Sequence, residues 1–164
     1  MPINKKNKKV AIVMGSQSDY LVMKKCEEIL SKLKIKFETK IVSAHRTPDR
    51  MFIFAKTAIK NNFAVIVAGA GGSAHLPGMI ASISTLPVLG VPIETTKLKG
   101  LDSLLSIVQM PKGIPVGTVA IGENGAFNAG LLAASIIALS DSKAKKNLEK
   151  WRRLQTAAIK KNPK

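Results

Sequence analysis

The sequence predicts a doubly wound α/β domain: a five-stranded parallel sheet in three layers, helices on both faces, and an extra helix at the C-terminal end. Three observations carry this reading. Short apolar runs ending in small or polar residues alternate with stretches of helical period, the order that right-handed crossovers between parallel strands require. The run Ala64-Val-Ile-Val-Ala68 is continuous rather than alternating, as suits a strand covered on both faces. The length of 164 residues suits one domain with a full layered core.

Each element has its own justification. Lys9 to Met14 is the first strand, and Tyr20 to Leu33 the first helix, with Leu21, Val22, Cys26, Ile29, Leu30 and Leu33 at helical spacing. Phe37 to Val42 is a second, more alternating strand. Thr47-Pro48-Asp49 opens a helix that runs to about Asn61, with Thr47 as cap and Pro48 in the first turn. Ala64 to Ala68 is the third strand, and His75 to Ser84 a helix entered through Pro77. Pro87 to Val91 is the fourth strand, Ser103 to Gln109 a short helix, and Val116 to Ala120 the fifth strand. Asn124 to Leu139 and Ser142 to Ile159 close the chain as two helices. The small residues between Asn128 and Ala134 predict close helix packing in a core or an interface. Five strands in this pattern are flavodoxin-like, and such sheets bind ligands at the carboxyl ends of their strands. The chemistry is therefore expected in the loops after strands one, two and three.

Composition excludes several classes. Hydrophobic residues make up 46% and charged residues 22%, a globular balance. No apolar run reaches the roughly 20 residues of a transmembrane helix; the longest, Ala126 to Leu139, is interrupted by Asn128, Gly130 and Ser135. Residues 1–9 carry lysines but no extended apolar segment, so no secretory signal is expected. The single cysteine, Cys26, permits no intrachain disulfide and fits a reducing, cytoplasmic setting. The net charge is +16, and residues 1–9 together with 141–164 supply +11 of it. Lysines number 22, arginines four, and aromatics only 4%. Nucleic-acid recognition draws on arginine forks and stacked aromatics, so solvated tails and helix faces explain the lysines better. Residues 1–164 are read as one domain, with a basic leader over 1–8 and a lysine-rich C-terminal helix over 142–164.

Three loops carry the unusual residues. In Gly15-Ser-Gln-Ser-Asp19, Gly15 permits a tight turn, and Ser16 and Ser18 offer hydroxyls beside free helix N–H groups. Asp19 suits a sugar diol, as an acceptor for hydroxyls; a plain helix cap is the competing reading. In Ser43-Ala44-His45-Arg46-Thr47-Pro48, Arg46 lies away from the basic tails and suits a forked grip on a phosphate. His45 can exchange a proton near neutral pH. In Ala68 to Met79, glycines 69, 71 and 72 let backbone approach a ligand closely, and Ser73, His75 and Leu76 follow. This stretch lacks the dinucleotide-binding spacing. Two histidines without a nearby acid make a weak metal site, so no metal is expected. The loop from Ser103 to Gly117, rich in Pro and Gly, is an ordered turn that closes over a ligand or packs on a neighbouring subunit.

Together these motifs carry a specific resemblance. Gly15-Ser-Gln-Ser-Asp19, Ser43-Ala-His-Arg-Thr-Pro48, Ala68-Gly-Ala-Gly-Gly-Ser-Ala-His-Leu-Pro-Gly-Met79, Leu89-Gly-Val-Pro92 and Ser106-Ile-Val-Gln-Met-Pro-Lys-Gly-Ile-Pro-Val-Gly117 resemble the N5-carboxyaminoimidazole ribonucleotide mutases of purine biosynthesis. The resemblance runs from about Val10 to Trp151. Tyr20 stands where that family commonly has Trp, and Ser73 where it commonly has Ala; neither change removes a reactive group. The resemblance implies movement of a carboxylate from the exocyclic nitrogen to ring C4, without metal, ATP or redox cofactor. It implies His45 as the group that gives and takes back a proton, with His75 beside it in the base-and-carboxylate pocket. Ser16, Ser18, Asp19, Ser43, Ala44 and Arg46 would hold ribose and phosphate, and Gly71, Gly72, Ser73 and Leu76 would enclose the base. It further implies a homo-octamer. The nearest alternative is the family's second branch, which carboxylates aminoimidazole ribonucleotide directly with carbon dioxide. From another class, the alternative is a flavodoxin-like electron carrier or nucleotide-binding module; flavin sites stack aromatic rings, and the first loop here offers only Tyr20.

Overall fold

The computed structural model describes residues 8–162. Five parallel strands, β1 (Lys9–Met14), β2 (Phe37–Ile41), β3 (Phe63–Gly71), β4 (Val88–Ile93) and β5 (Gly117–Thr118), form one sheet in the order β2-β1-β3-β4-β5. Between and after them lie α1 (Tyr20–Lys32), α2 (Pro48–Thr57), α3 (Leu76–Ile83), α4 (Leu101–Val108), α5 (Gly122–Ala138) and α6 (Ser142–Ala158). This is the flavodoxin-like strand order, with its switch point between β1 and β3.

Strand alternation sorts the core onto two faces. Val10, Ile12, Met14, Val65, Val67 and Val91 face a layer built from α1 and α5, including Met23, Cys26, Ile29, Ala129 and Ala133. Ala11, Val13, Ile66 and Ala68 face Met51 and Phe54 of α2, Ile80 of α3 and Ile107 of α4. Each fully buried Ile, Leu or Met on these faces contributes about 1.5–3 kcal/mol. The small residues of α5 serve the core: Ala126, Ala129, Gly130, Ala133 and Ala134 are buried. A Cβ at Gly130 would lie 2.5 Å from Ile29 Cγ2 and 3.2 Å from the Cys26 carbonyl, so glycine there sets how closely α5 approaches α1.

Three elements and one cap differ most from the sequence reading. β3 runs on through Gly69–Gly71, because register with Val91–Ile93 outweighs the weak strand preference of glycine. α2 stops at Thr57; the chain closes through Asn62 at φ 67°, with Phe63 N–H on the Ala58 carbonyl, a left-handed helix end. β5 shrinks to Gly117–Thr118 at the sheet edge. Thr47 is the N-cap residue of α2, yet its hydroxyl bonds back to Ser43 rather than to the helix.

The first half of α6 packs on its own chain. Ala144 is buried, Trp151 lies 6.1 Å from Phe127 between ring centres, and Asn147 donates to the Leu33 carbonyl. Residues 1–7 of the basic leader lie outside the described residues. Among the described residues no helix is long and apolar enough to cross a membrane.

Gly130→Ala is expected to lower stability by about 1–3 kcal/mol through overpacking, although alanine is the better helix former; denaturant melts measure this. Burial, helped by the Glu27 charge, pushes the Cys26 thiol well up. Cys26 should therefore resist thiol reagents in native protein and react on unfolding, while rapid native labelling would contradict its placement.

Candidate active site

Parallel register brings three strand ends to one edge. Met14 pairs with Ile41 on one side and Gly69 on the other, so the loops after β1, β2 and β3 leave the sheet side by side. They enclose a cavity of about 420 Å³.

The β2 loop is folded by its own hydroxyls. Ser43 N–H donates to Thr47 Oγ1 at 3.0 Å, and that hydroxyl donates to the Ser43 carbonyl at 3.0 Å. Ser43 Oγ accepts from Arg46 N–H at 3.2 Å and stands 3.4 Å from Arg46 Nε. This closed turn leaves His45 and Arg46 exposed at its tip. Arg46 Nη2 donates to the Gly15 carbonyl at 2.6 Å, tying the β2 loop to the β1 loop. A guanidinium carries five donors, so N–H groups remain for an anion.

In the β1 loop, Ser16 Oγ and Ser18 Oγ are 2.6 Å apart, and the Asp19 carboxylate accepts from Ser16 N–H at 3.1 Å. Burial raises the Asp19 carboxyl above the ordinary value, against the lowering effect of its bonds to Ser16 and Gly15 and of the Arg46 charge. A half-buried carboxylate kept beside a cavity has hydroxyl donors as its natural complement.

The two histidines meet. His45 Nε2 and His75 Nδ1 are 2.9 Å apart, with the rings edge to face at 86°. One nitrogen must donate and the other accept. When His45 donates, its outer Nδ1 is bare and the outer Nε2 of His75 carries hydrogen; when His75 donates, both are reversed. The neutral pair thus always offers one acceptor and one donor at its outer nitrogens, and exchanging them takes a relay: the shared hydrogen crosses as one outer nitrogen gains a proton and the other loses one.

Of the residues singled out from sequence, Gly15, Ser16, Ser18, Asp19, Ser43, Ala44, His45, Arg46, Gly71, Ser73, His75 and Leu76 all line the cavity. Gly72 does not. At φ +66° it turns toward α4, its N–H donating to Ser103 Oγ at 2.8 Å. Four further lining residues went unread: Ala70, and Ile93, Glu94 and Thr95 at the end of β4. The strand-end rule covers the fourth strand as well as the first three, and applying it there would have found them. Thr95 is anchored by its hydroxyl on the Asp102 carboxylate, at 3.0 and 3.2 Å. Among the described residues no three His, Cys, Asp or Glu gather in a group able to hold a metal ion.

With this geometry in place, comparison with known proteins is decisive. Residues 9–158 match the family described as AIR carboxylase. The chain belongs to the AIR carboxylase family. Among its relatives, the N5-carboxyaminoimidazole ribonucleotide mutase of Brucella melitensis is 56% identical, covering 94% of this chain and 95% of the relative. The protein of the same name from Escherichia coli K12 is 55% identical over 94% of this chain and 92% of its own. Among solved structures, Treponema denticola PurE superposes with a TM-score of 0.81 at 26% identity, covering 92% of both chains.

Asp19 gives a pH test. Its folded value is raised, so its stabilising contribution is full below the unfolded value of about 3.9 and is lost as pH rises through the folded value. Asp19→Asn should therefore melt above wild type at pH 7, with the gap closing as pH falls toward 4; a gap that widens on acidification would contradict the sign.

Proposed function

We propose that this chain is an N5-carboxyaminoimidazole ribonucleotide mutase, forming 4-carboxy-5-aminoimidazole ribonucleotide in purine biosynthesis. The observation that carries the reading is a near full-length match of about 55% identity to proteins of that name, in a chain whose paired imidazoles sit at the strand-end cavity. A mutase is an isomerase, and this reaction conserves atoms, so the site needs one proton that is given and recovered.

The chemistry runs in two steps. The exocyclic carbamate nitrogen takes a proton from the imidazole pair, its N–C bond breaks, and carbon dioxide and the neutral aminoimidazole form. The electron-rich ring then attacks carbon dioxide through C4, forming the new C–C bond. The C4 proton leaves to the nitrogen that gave the first one, and aromaticity returns. His45 is the catalytic acid and base, a role general acid–base groups fill with gains of about 10²–10⁴. His75 sets which His45 nitrogen carries hydrogen. Arg46, with Ser16 and Ser18, grips the 5′-phosphate, and Asp19 accepts from the ribose hydroxyls. Gly71, Ser73 and Leu76 close over the base and exclude water.

The assembly is read as a homo-octamer of cytoplasmic protein, in line with the family resemblance. Apolar side chains left uncovered support it: Phe52 and Ile53 on α2, Leu101, Leu105 and Val108 on α4, and Leu154 and Ile159 at the end of α6. Surfaces of this kind mark subunit contacts, and the distal part of the C-terminal helix is the segment we assign to a neighbour.

An ultraviolet assay with the carbamate substrate, and separately with aminoimidazole ribonucleotide plus bicarbonate, tests the reading. Turnover of the carbamate without ATP, with kcat reduced about 10²–10⁴-fold in His45→Asn, is expected. Activity only with the free aminoimidazole would move the protein to the direct carboxylase branch. An unimpaired His45→Asn would overturn the catalytic assignment.

A further inference from the structure

β3 and β4 part at the cavity. Ile66 N–H donates to the Pro87 carbonyl, and parallel register repeats that bond at every second residue. Repeated along the strands, it brings Gly72 N–H to the Ile93 carbonyl. A side chain has been inserted there instead. Ser103 Oγ accepts from Gly72 N–H at 2.8 Å and donates to the Ile93 carbonyl at 2.6 Å. Ser103 is fully buried, on α4. A second α4 hydroxyl, Ser106 Oγ, reaches the Gly72 carbonyl at 3.3 Å while bonding to the Asp102 carbonyl at 2.7 Å. The Gly72 N–H is thus held from α4, and its carbonyl shares the one Ser106 hydrogen with the Asp102 carbonyl.

We propose that Ser103 is a positioning residue: its hydroxyl, wedged between the ends of β3 and β4, fixes the glycine loop that retains carbon dioxide between the two chemical steps. Ser103 does not line the cavity, whereas its neighbours through this bridge, Gly71, Ser73 and Ile93, do. The wedge stands between the Gly72 N–H and the Ile93 carbonyl, Gly72 lies in the left-handed region at φ +66°, and Gly71 and Ser73 on either side of it line the cavity with His75. The phosphate and ribose groups assigned to Arg46, Ser16, Ser18 and Asp19 lie on the other two loops. Loosening the wedge should therefore affect retention of carbon dioxide rather than nucleotide binding. Ser103→Ala leaves the Gly72 N–H and the Ile93 carbonyl without their partner, a loss that buried backbone groups tolerate poorly.

This inference rests on the mutase reading, and the experiment separates the two. Unlabelled carbamate is supplied in buffer enriched with ¹³C-bicarbonate, and isotope in the product is read by mass spectrometry at early times, corrected for uncatalysed breakdown. Failure of wild type to form product would sink the mutase reading itself. Given wild-type turnover with little label, Ser103→Ala should lower kcat about tenfold, the scale of loss that a small misplacement of the loop causes. KM should stay within about twofold, since the groups that grip phosphate and ribose are untouched, and label in the product should rise several-fold. Ser103→Cys, which keeps the volume and a weak donor, should recover part of both losses. Where Ser103→Ala does not fold, Ser103→Cys and Ser106→Ala should each show a smaller rise in label. Label no higher than wild type in the folded variants, or full exchange in wild type, would overturn the proposal; a purely structural role predicts reduced stability without label exchange.

Discussion

One hydrogen bond, 2.9 Å between His45 Nε2 and His75 Nδ1, depends on nearly everything else in the fold and organises nearly everything in the site. The two residues are separated by a helix and a strand, and they meet only if β2, β1 and β3 lie adjacent and in register. That adjacency comes from two apolar layers: alternate side chains of β1 and β3 bury against α1 and α5 on one face and against α2 and α3 on the other. A one-residue slip of β3 would send its core residues to the wrong face and would move His75 along the strand axis by about 3.3 Å, beyond reach of His45.

The loops are held to matching precision by short-range bonds. Ser43 and Thr47 close the β2 loop on itself, and Arg46 pins it to Gly15. Ser103 does the same for the glycine loop from α4, in the helix layer shared with α2 and α3. Flexible glycines at 71 and 72 therefore sit in a rigid setting, with positive φ confined to Gly72 in this loop. Preorganisation of this kind is what a reaction through a small, mobile intermediate needs, because its escape competes with each productive collision.

The strand order, the two-faced core and most of the cavity lining were legible in the sequence because each rests on local pattern. Continuous apolar runs gave β1 and β3, helical spacing gave α1, and the odd chemistry of Gly15–Asp19 and Ser43–Pro48 marked the strand ends. What escaped rests on partners distant in the chain. β3 includes Gly69–Gly71 only because β4 supplies the pairing. Thr47 is the N-cap residue of α2 as its sequence position suggests, but its hydroxyl braces Ser43 rather than the helix. Gly72 looks like part of the binding surface and faces α4, while Glu94 and Thr95 reach the cavity from a strand whose end carries no unusual residue pattern. The surplus of lysine, by contrast, belongs to the chain ends and outer faces and plays no part in this geometry.

The claim most worth testing is that the two imidazoles act as a single proton-handling unit. Measuring kcat/KM with the carbamate substrate for His45→Asn, His75→Ala and the double variant does so directly. Residues that act together lose function non-additively. The account predicts that the double variant is no worse than His45→Asn alone. Losses that multiply would show two independent residues and contradict it.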